Sequence, residues 1–141
     1  MTAPDTDGSG VAAAAQEALA AAGTSSVSWI KAHGTGTRLG DGAECRGLAQ
    51  LFGLALADSP LTSLKAAIGH SFGASGAVET AAAVLAVECG IVPPSVGTEE
   101  VDPDLPPCRV ALAAEPASDG AALLLAESFG GRCAALVLQA A

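Results

Sequence analysis

Of the 141 residues, 33 are alanine and only four are aromatic: Trp29, Phe52, Phe72 and Phe129. A core built without large rings is filled by small side chains at short backbone-to-backbone distance, which favours helices laid tightly on a sheet. The length suits one domain, or a piece of a larger one, that buries roughly two-thirds of the surface its unfolded chain exposes. Half of the residues are hydrophobic, which excludes disorder. Six basic groups against 15 acidic ones give a net charge of −9, which argues against a nucleic-acid groove lined by Lys and Arg. No run approaches the ~18 uninterrupted apolar residues of a membrane span, and Met1 to Gly10 carry two Asp and no Lys or Arg. The cytoplasm is therefore the expected location, with neither membrane nor nucleic acid as a partner. Cys45, Cys89, Cys108 and Cys133 lie far apart without a CxxC pair, which reads as reduced thiols rather than a disulfide framework or zinc ribbon.

The chain divides into a polar segment, residues 1–8, expected to be frayed, and one domain over residues 9–141. Val11 to Ala22 is almost all alanine and predicts a helix stopped by Gly23. Val27 to Ala32 predicts a strand with Val27 and Trp29 inward and Ile30 a further candidate for the core. After the turn His33-Gly34-Thr35-Gly36-Thr37-Arg38-Leu39-Gly40, Asp41 can cap a helix reaching about Leu56, with Glu44 three residues on in a capping-box spacing. Leu61 to Leu64 predicts a second strand. A second small-residue turn, Gly69-His70-Ser71-Phe72-Gly73-Ala74-Ser75-Gly76, leads into an alanine-rich helix to Cys89, and Pro93-Pro94 forbids its continuation. An acidic loop with Glu99, Glu100, Asp102 and Asp104 reads as a solvated excursion, and three strands follow: 109–113, 121–126 and 133–139. This order predicts an α/β layered domain.

The two histidines each stand where a strand ends in a glycine-rich turn, the place where layered α/β domains open a crevice. A neutral imidazole there can donate an N–H to a developing oxyanion, while the alternative is a capping or buried polar histidine. A dinucleotide turn at Gly34-x-Gly36-x-x-x-Gly40 is one residue too long for GxGxxG and lacks an acidic residue closing the following strand to hold a ribose, since Asp58, the nearest, precedes its strand. A metal held by His33, His70 and a cysteine would lack the close ligand spacing that usually marks such sites.

The joint pattern decides between these readings. Ala32-His33-Gly34-Thr35-Gly36-Thr37 followed by Gly40-Asp41 and Glu44, and then Ser63-x-Lys65-x-x-x-Gly69-His70-x-x-Gly73-Ala74-x-Gly76, resembles the carboxy-terminal half of β-ketoacyl synthases. Pro93-Pro94 and the terminal Ser128-Phe129-Gly130 turn fit the same family, and the resemblance runs from about Asp7. It implies an α/β, thiolase-like layered fold, of which this is the carboxy-terminal half, with helices packed on a mixed sheet. It implies decarboxylative Claisen condensation in fatty-acid or polyketide synthesis: a cysteine holds an acyl thioester, and malonyl carrier protein loses carbon dioxide to give the attacking enolate. By that resemblance His33 and His70 are the two histidines flanking the malonyl thioester carbonyl. Lys65 and Glu79 form a buried ion pair orienting them, and Asp41, Thr35, Thr37 and Phe129 support the site. No cofactor is implied beyond phosphopantetheine, which carries the substrates on acyl carrier protein. The expected partners are that protein and a ketosynthase amino-terminal half or another ketosynthase chain.

Several residues depart from the family pattern. The nucleophilic cysteine belongs to the amino-terminal half, and Cys45 and Cys133 read better as packing residues than as its replacement. Lys31 stands where the family usually has glutamate. The turn Asn-Ser-Phe-Gly-Phe-Gly-Gly is shortened to Glu127-Ser128-Phe129-Gly130-Gly131, losing a phenylalanine. Lys31, Arg38 and Arg46 form either a basic cluster for an acidic carrier protein or an ordinary solvated rim. The expectation is therefore a condensing-enzyme half that is inactive alone. The alternatives are a non-catalytic or chain-length-setting partner, or a gene fragment. Part of the hydrophobic composition is expected to form an interface to a second layer.

Overall fold

A computed structural model of the chain describes residues 5–139. In chain order the elements are α1 (Ser9–Ala22), β1 (Trp29–Lys31), α2 (Arg38–Phe52), β2 (Pro60–Thr62), α3 (Lys65–Ile68), α4 (Ser75–Cys89), β3 (Ile91–Val92), β4 (Arg109–Val110), β5 (Glu115–Pro116), β6 (Ala122–Ser128) and β7 (Arg132–Leu138). The main sheet has the order β4-β2-β1-β6-β7. Its first four strands run parallel and β7 returns antiparallel to β6, so the sheet is mixed. β3 and β5 form a separate antiparallel pair.

Side chains alternate across a strand, and both faces of this sheet are covered. Ile30, Leu61, Leu123 and Leu125 pack on one face with Val11 and Ala15 of α1 and Leu48 of α2. Trp29, Ala122 and Leu124 pack on the other with Ala83 and Ala86 of α4. The α/β layering expected from the sequence is thus present, with helices on both sides. Small residues make the close approach possible. A Cβ on Gly8, whose φ is +80°, would lie 2.3 Å from the Ala43 carbonyl oxygen, and one on Gly47 would lie 2.3 Å from the Gly8 oxygen. The start of α1 therefore rests on the backbone of α2.

The expected frayed segment lies partly outside the described residues. Within them, Thr6 and Asp7 accept hydrogen bonds through their carbonyls from Arg46 and Gln50. The helix expected from Asp41 to Leu56 begins at Arg38, because Thr37 is the cap and its Oγ1 accepts from Gly40 N at 3.2 Å. That helix ends at Phe52, and a 3₁₀ segment, Gly53–Asp58, follows it. The parallel strands β1, β2 and β4 are shorter than expected while β6 runs on to Ser128, and α3 and the β3–β5 pair carry no periodic signal in so few residues. Phe72–Cys89 is long and apolar enough by length and composition to cross a membrane. Its central residue Glu79, however, is buried against two lysines of the same domain. Val78, Val84 and Leu85 of this helix are exposed.

Candidate active site

The site lies at the carboxyl ends of β1 and β2. Ala32 N extends the strand pairing by donating to Thr62 O at 2.8 Å, and the chain then turns at Gly34. Gly34 has φ +48°, and a Cβ there would fall 2.6 Å from Ser63 Cβ. Glycine is required because the first turn lies directly against the second motif, where Ser63 Oγ donates to the Gly34 carbonyl at 2.6 Å. Glu44 does not close a capping box. It is buried, and its carboxylate accepts the main-chain N–H of His33 at 2.6 Å and of Gly34 at 2.9 Å. Burial pushes its pKa up and these two bonds pull against that. Asp41 accepts from Gly36 N at 3.2 Å, and its carboxyl is likewise pushed up by burial. The hydroxyls of Thr35 and Thr37 lie 3.0 Å apart. These residues hold the shape of the first turn.

Beneath the turn lies a cluster of charges. Lys65, at the start of α3, donates to Glu79 Oε1 at 2.7 Å and to the His33 carbonyl at 2.5 Å. The other oxygen of Glu79 accepts from Lys31 Nζ at 2.5 Å, and Lys31 also donates to Leu125 O at 2.6 Å. Lys31 is therefore no rim residue: only 1% of it is exposed. The chain has two lysines, and both serve one carboxylate. Glu79 keeps a lowered pKa because the two lysines together outweigh its burial.

The rings of His33 and His70 meet edge to face with centroids 5.5 Å apart. The His33 pKa falls to about 4, through burial first and then the positive charges of Lys65 and Lys31. Its imidazole is neutral at pH 7. The Nδ1 atom of His33 is buried without a hydrogen-bond partner among the described residues. For His70 the tautomer follows from its neighbours. Phe72 N points its N–H at His70 Nδ1 at 3.3 Å, so Nδ1 is an acceptor and the neutral ring carries its proton on Nε2. Ser75 Oγ lies 2.9 Å from the same Nδ1. Phe72 is the one non-glycine residue with positive φ among the described residues, at 48°, and its ring stacks on His70 at 4.8 Å. A bulky residue in that region is strained, and here the strain places both a donor and an aromatic face on a histidine.

An open cleft of about 870 Å³ adjoins these groups, with Thr35, Asp41, Lys65 and His70 on one wall. The acidic loop forms the other wall, from Ser95 to Asp102, rather than a free excursion. Ser95 Oγ accepts from Ser63 N at 2.9 Å and anchors it. His33, Lys65, His70 and Glu79 are thus brought together, with Asp41, Thr35 and Thr37 shaping the adjoining turn. Phe129 stands apart, 70% exposed at the β6–β7 turn. Cys45 lines the cleft, but hydrogen bonding with Cys108 and burial raise its pKa and keep it a thiol. Cys133 is pushed up to about 11 by burial. Lys31, Ser75 and Phe72 were not foreseen as site residues. A lysine directly after Trp29 and Ile30 in an expected strand is the available signal for the first, since a charge in a central strand needs an internal partner.

Residues 1–99 match the family model described as the β-ketoacyl synthase C-terminal domain. The chain is 39% identical to the tetracenomycin polyketide synthase ketoacyl synthase alpha subunit of Streptomyces glaucescens, over 78% of this chain and 26% of that protein. It is 42% identical to 3-oxoacyl-[acyl-carrier-protein] synthase II, chloroplastic, of Arabidopsis thaliana, over 72% of this chain and 19% of that protein. A solved structure of a type II PKS acyl-carrier protein in complex with its ketosynthase bound to the hexaketide superposes with a TM-score of 0.93 at 29% identity. The match covers all of this chain and 35% of that one. The chain thus spans about a third or less of the length of these relatives.

Proposed function

The chain belongs to the β-ketoacyl synthase family, and from that premise we propose that it forms the decarboxylation half of a condensing site whose nucleophilic cysteine lies outside these 141 residues. The reading is carried by one observation: two imidazoles in edge-to-face contact above a buried Lys65–Glu79 pair, beside an open cleft. Loss of carbon dioxide from a malonyl thioester moves an electron pair toward the thioester oxygen. A donor aimed at that oxygen is worth a few kcal/mol, most of all where water is excluded. The Nε2–H of His70 is such a donor, and a His33 ring that stays neutral can supply a second without competing for the proton. The enolate carbon then attacks the acyl thioester, and the thiolate that held the acyl group leaves.

The substrates of this reading ride on phosphopantetheine of an acyl carrier protein, with no resident cofactor, and the acyl group belongs to fatty-acid or polyketide synthesis. A ketosynthase amino-terminal half supplies the cysteine, and the exposed Val78, Val84 and Leu85 of α4 offer apolar surface for packing against it. Without that half the chain is inactive in condensation. The test combines the chain with a cysteine-bearing ketosynthase half and follows carbon dioxide release from malonyl carrier protein. His70→Ala is expected to lower the rate by roughly 10²-fold or more while the assembly persists. An unchanged rate in the assembled complex would remove the reading in favour of a non-catalytic, chain-length-setting partner.

A further inference from the structure

The least expected residue of the site is Lys31. It stands on the central strand β1, between β2 and β6, with its side chain on the face covered by α4, so its ammonium cannot reach solvent. A lysine in that place costs several kcal/mol unless it is fully partnered. Its partners come from two elements: Glu79 Oε2 from α4 at 2.5 Å and the Leu125 carbonyl from β6 at 2.6 Å. Lys65 takes the remaining Glu79 oxygen and the carbonyl of His33. With Lys65 alone, one oxygen of Glu79 would be buried without a donor, and the carboxylate could turn about its last torsion.

We propose that Lys31 is a positioning residue of the two-histidine site: by holding the second oxygen of Glu79, it fixes the carboxylate that directs Lys65 onto the main chain of His33. The lysine acts through Glu79 and Lys65 and touches neither ring. It also leaves the triad with two cations to one anion, two residues before His33 in the chain. Among the groups that bear on the His33 ring, Lys65, Lys31 and His70 oppose its protonation and Glu79 favours it, while Glu44 of α2 binds its main-chain N–H. The excess charge therefore helps to keep the imidazole neutral. This inference rests on the proposed function only for what His33 does in turnover, and not for how Lys31 acts on it.

The test is made on the chain itself and needs no substrate. Only two histidines are present, so their ring carbon-bound protons give two titration curves by NMR, assigned with His70→Gln. Wild-type His33 is expected to titrate near pH 4. Lys31→Met should raise its proton affinity severalfold, and Lys31→Arg, which keeps the charge and a donor for Glu79, should stay near wild type. An unmoved His33 curve in folded Lys31→Met, or equal shifts in the two variants, overturns the proposal. A second readout uses the wild type, in which both lysine ammonium signals should be resolved and protected from exchange with water. A freely exchanging Lys31 signal would overturn the proposal whatever the variants do. Failure of the decarboxylation assay with these NMR results intact would count against the function and leave Lys31 in its role.

Discussion

Glu79→Gln removes the single anion from a buried cluster with two ammonium groups. Glu79 and Lys31 are each 1% exposed and Lys65 is 8% exposed, so water cannot replace the carboxylate without opening the domain. Breaking a buried pair by deleting one partner costs about 3–5 kcal/mol. Lys31 keeps the Leu125 carbonyl and Lys65 keeps that of His33, which places the expected loss near the lower end, about 3 kcal/mol. Trp29 is the one tryptophan, is buried in the core on the α4 face, and reports unfolding in urea by fluorescence. The pH dependence separates charge from shape. The Lys31 pKa is already lowered, by burial first, and losing Glu79 lowers it further. Between that lowered value and the ordinary lysine value the unfolded chain binds more protons than the native one, so stability rises with pH. The variant should regain part of its loss between pH 7 and 10. The double variant Lys31→Met/Glu79→Gln should be more stable than Glu79→Gln alone by about 1–2 kcal/mol. A loss below about 1 kcal/mol that is flat with pH would refute the reading of a buried charge cluster.

Glu127 is pushed up to about 7 by burial and by the carboxylates of Glu44 and Asp41. The native state binds the extra proton between pH 4.5 and 7, so stability falls as pH rises through that window, and Glu127→Gln should be more stable than wild type at pH 8 by about 1–3 kcal/mol in urea titrations. Cys108 is held down to about 7 by a hydrogen bond with Cys45, whose own thiol is raised. Brief iodoacetamide treatment at pH 7.5 followed by peptide mass analysis should label Cys108 well before Cys45 and Cys133, and preferential labelling of Cys45 would refute the assignment.

The layered fold could be read from the sequence because its signals are local. An alanine run with a glycine stop, a short apolar run and a glycine-rich turn need no distant partner to be recognised. Thr37 displaced Asp41 as the cap because both are capping residues four positions apart, and the choice depends on Asp41 being drawn to Gly36 N. Glu44 looked like half of a capping box for the same reason. Its actual partners, His33 and Gly34, lie on a turn that only the packing of α2 against β1 brings near. Phe72 was silent, since nothing in a sequence marks a left-handed phenylalanine. Lys31 shows how local pattern and burial can disagree. Near Arg38 and Arg46 in sequence it resembles a basic rim, but strand alternation turns it toward α4 and away from both.

The burial of Lys31 also changes what the net charge of −9 means. With both lysines enclosed around Glu79, the surface keeps four arginines as its cations, and Arg38 and Arg109 already face Asp104 and Glu115. The same chain lines its cleft with Glu99, Glu100 and Asp102. An acidic carrier protein approaching this surface would meet repulsion over the distance that salt leaves unscreened, about 8 Å at physiological ionic strength. If the chain works as proposed, most of the positive charge that receives the carrier is expected from the cysteine-bearing half, with Arg46 and Arg132 the arginines here that face no carboxylate among the described residues. The internal lysines serve a different purpose. They place positive charge within the domain, close to the histidines, where solvent screens it least and where a developing enolate oxygen would gain most from it.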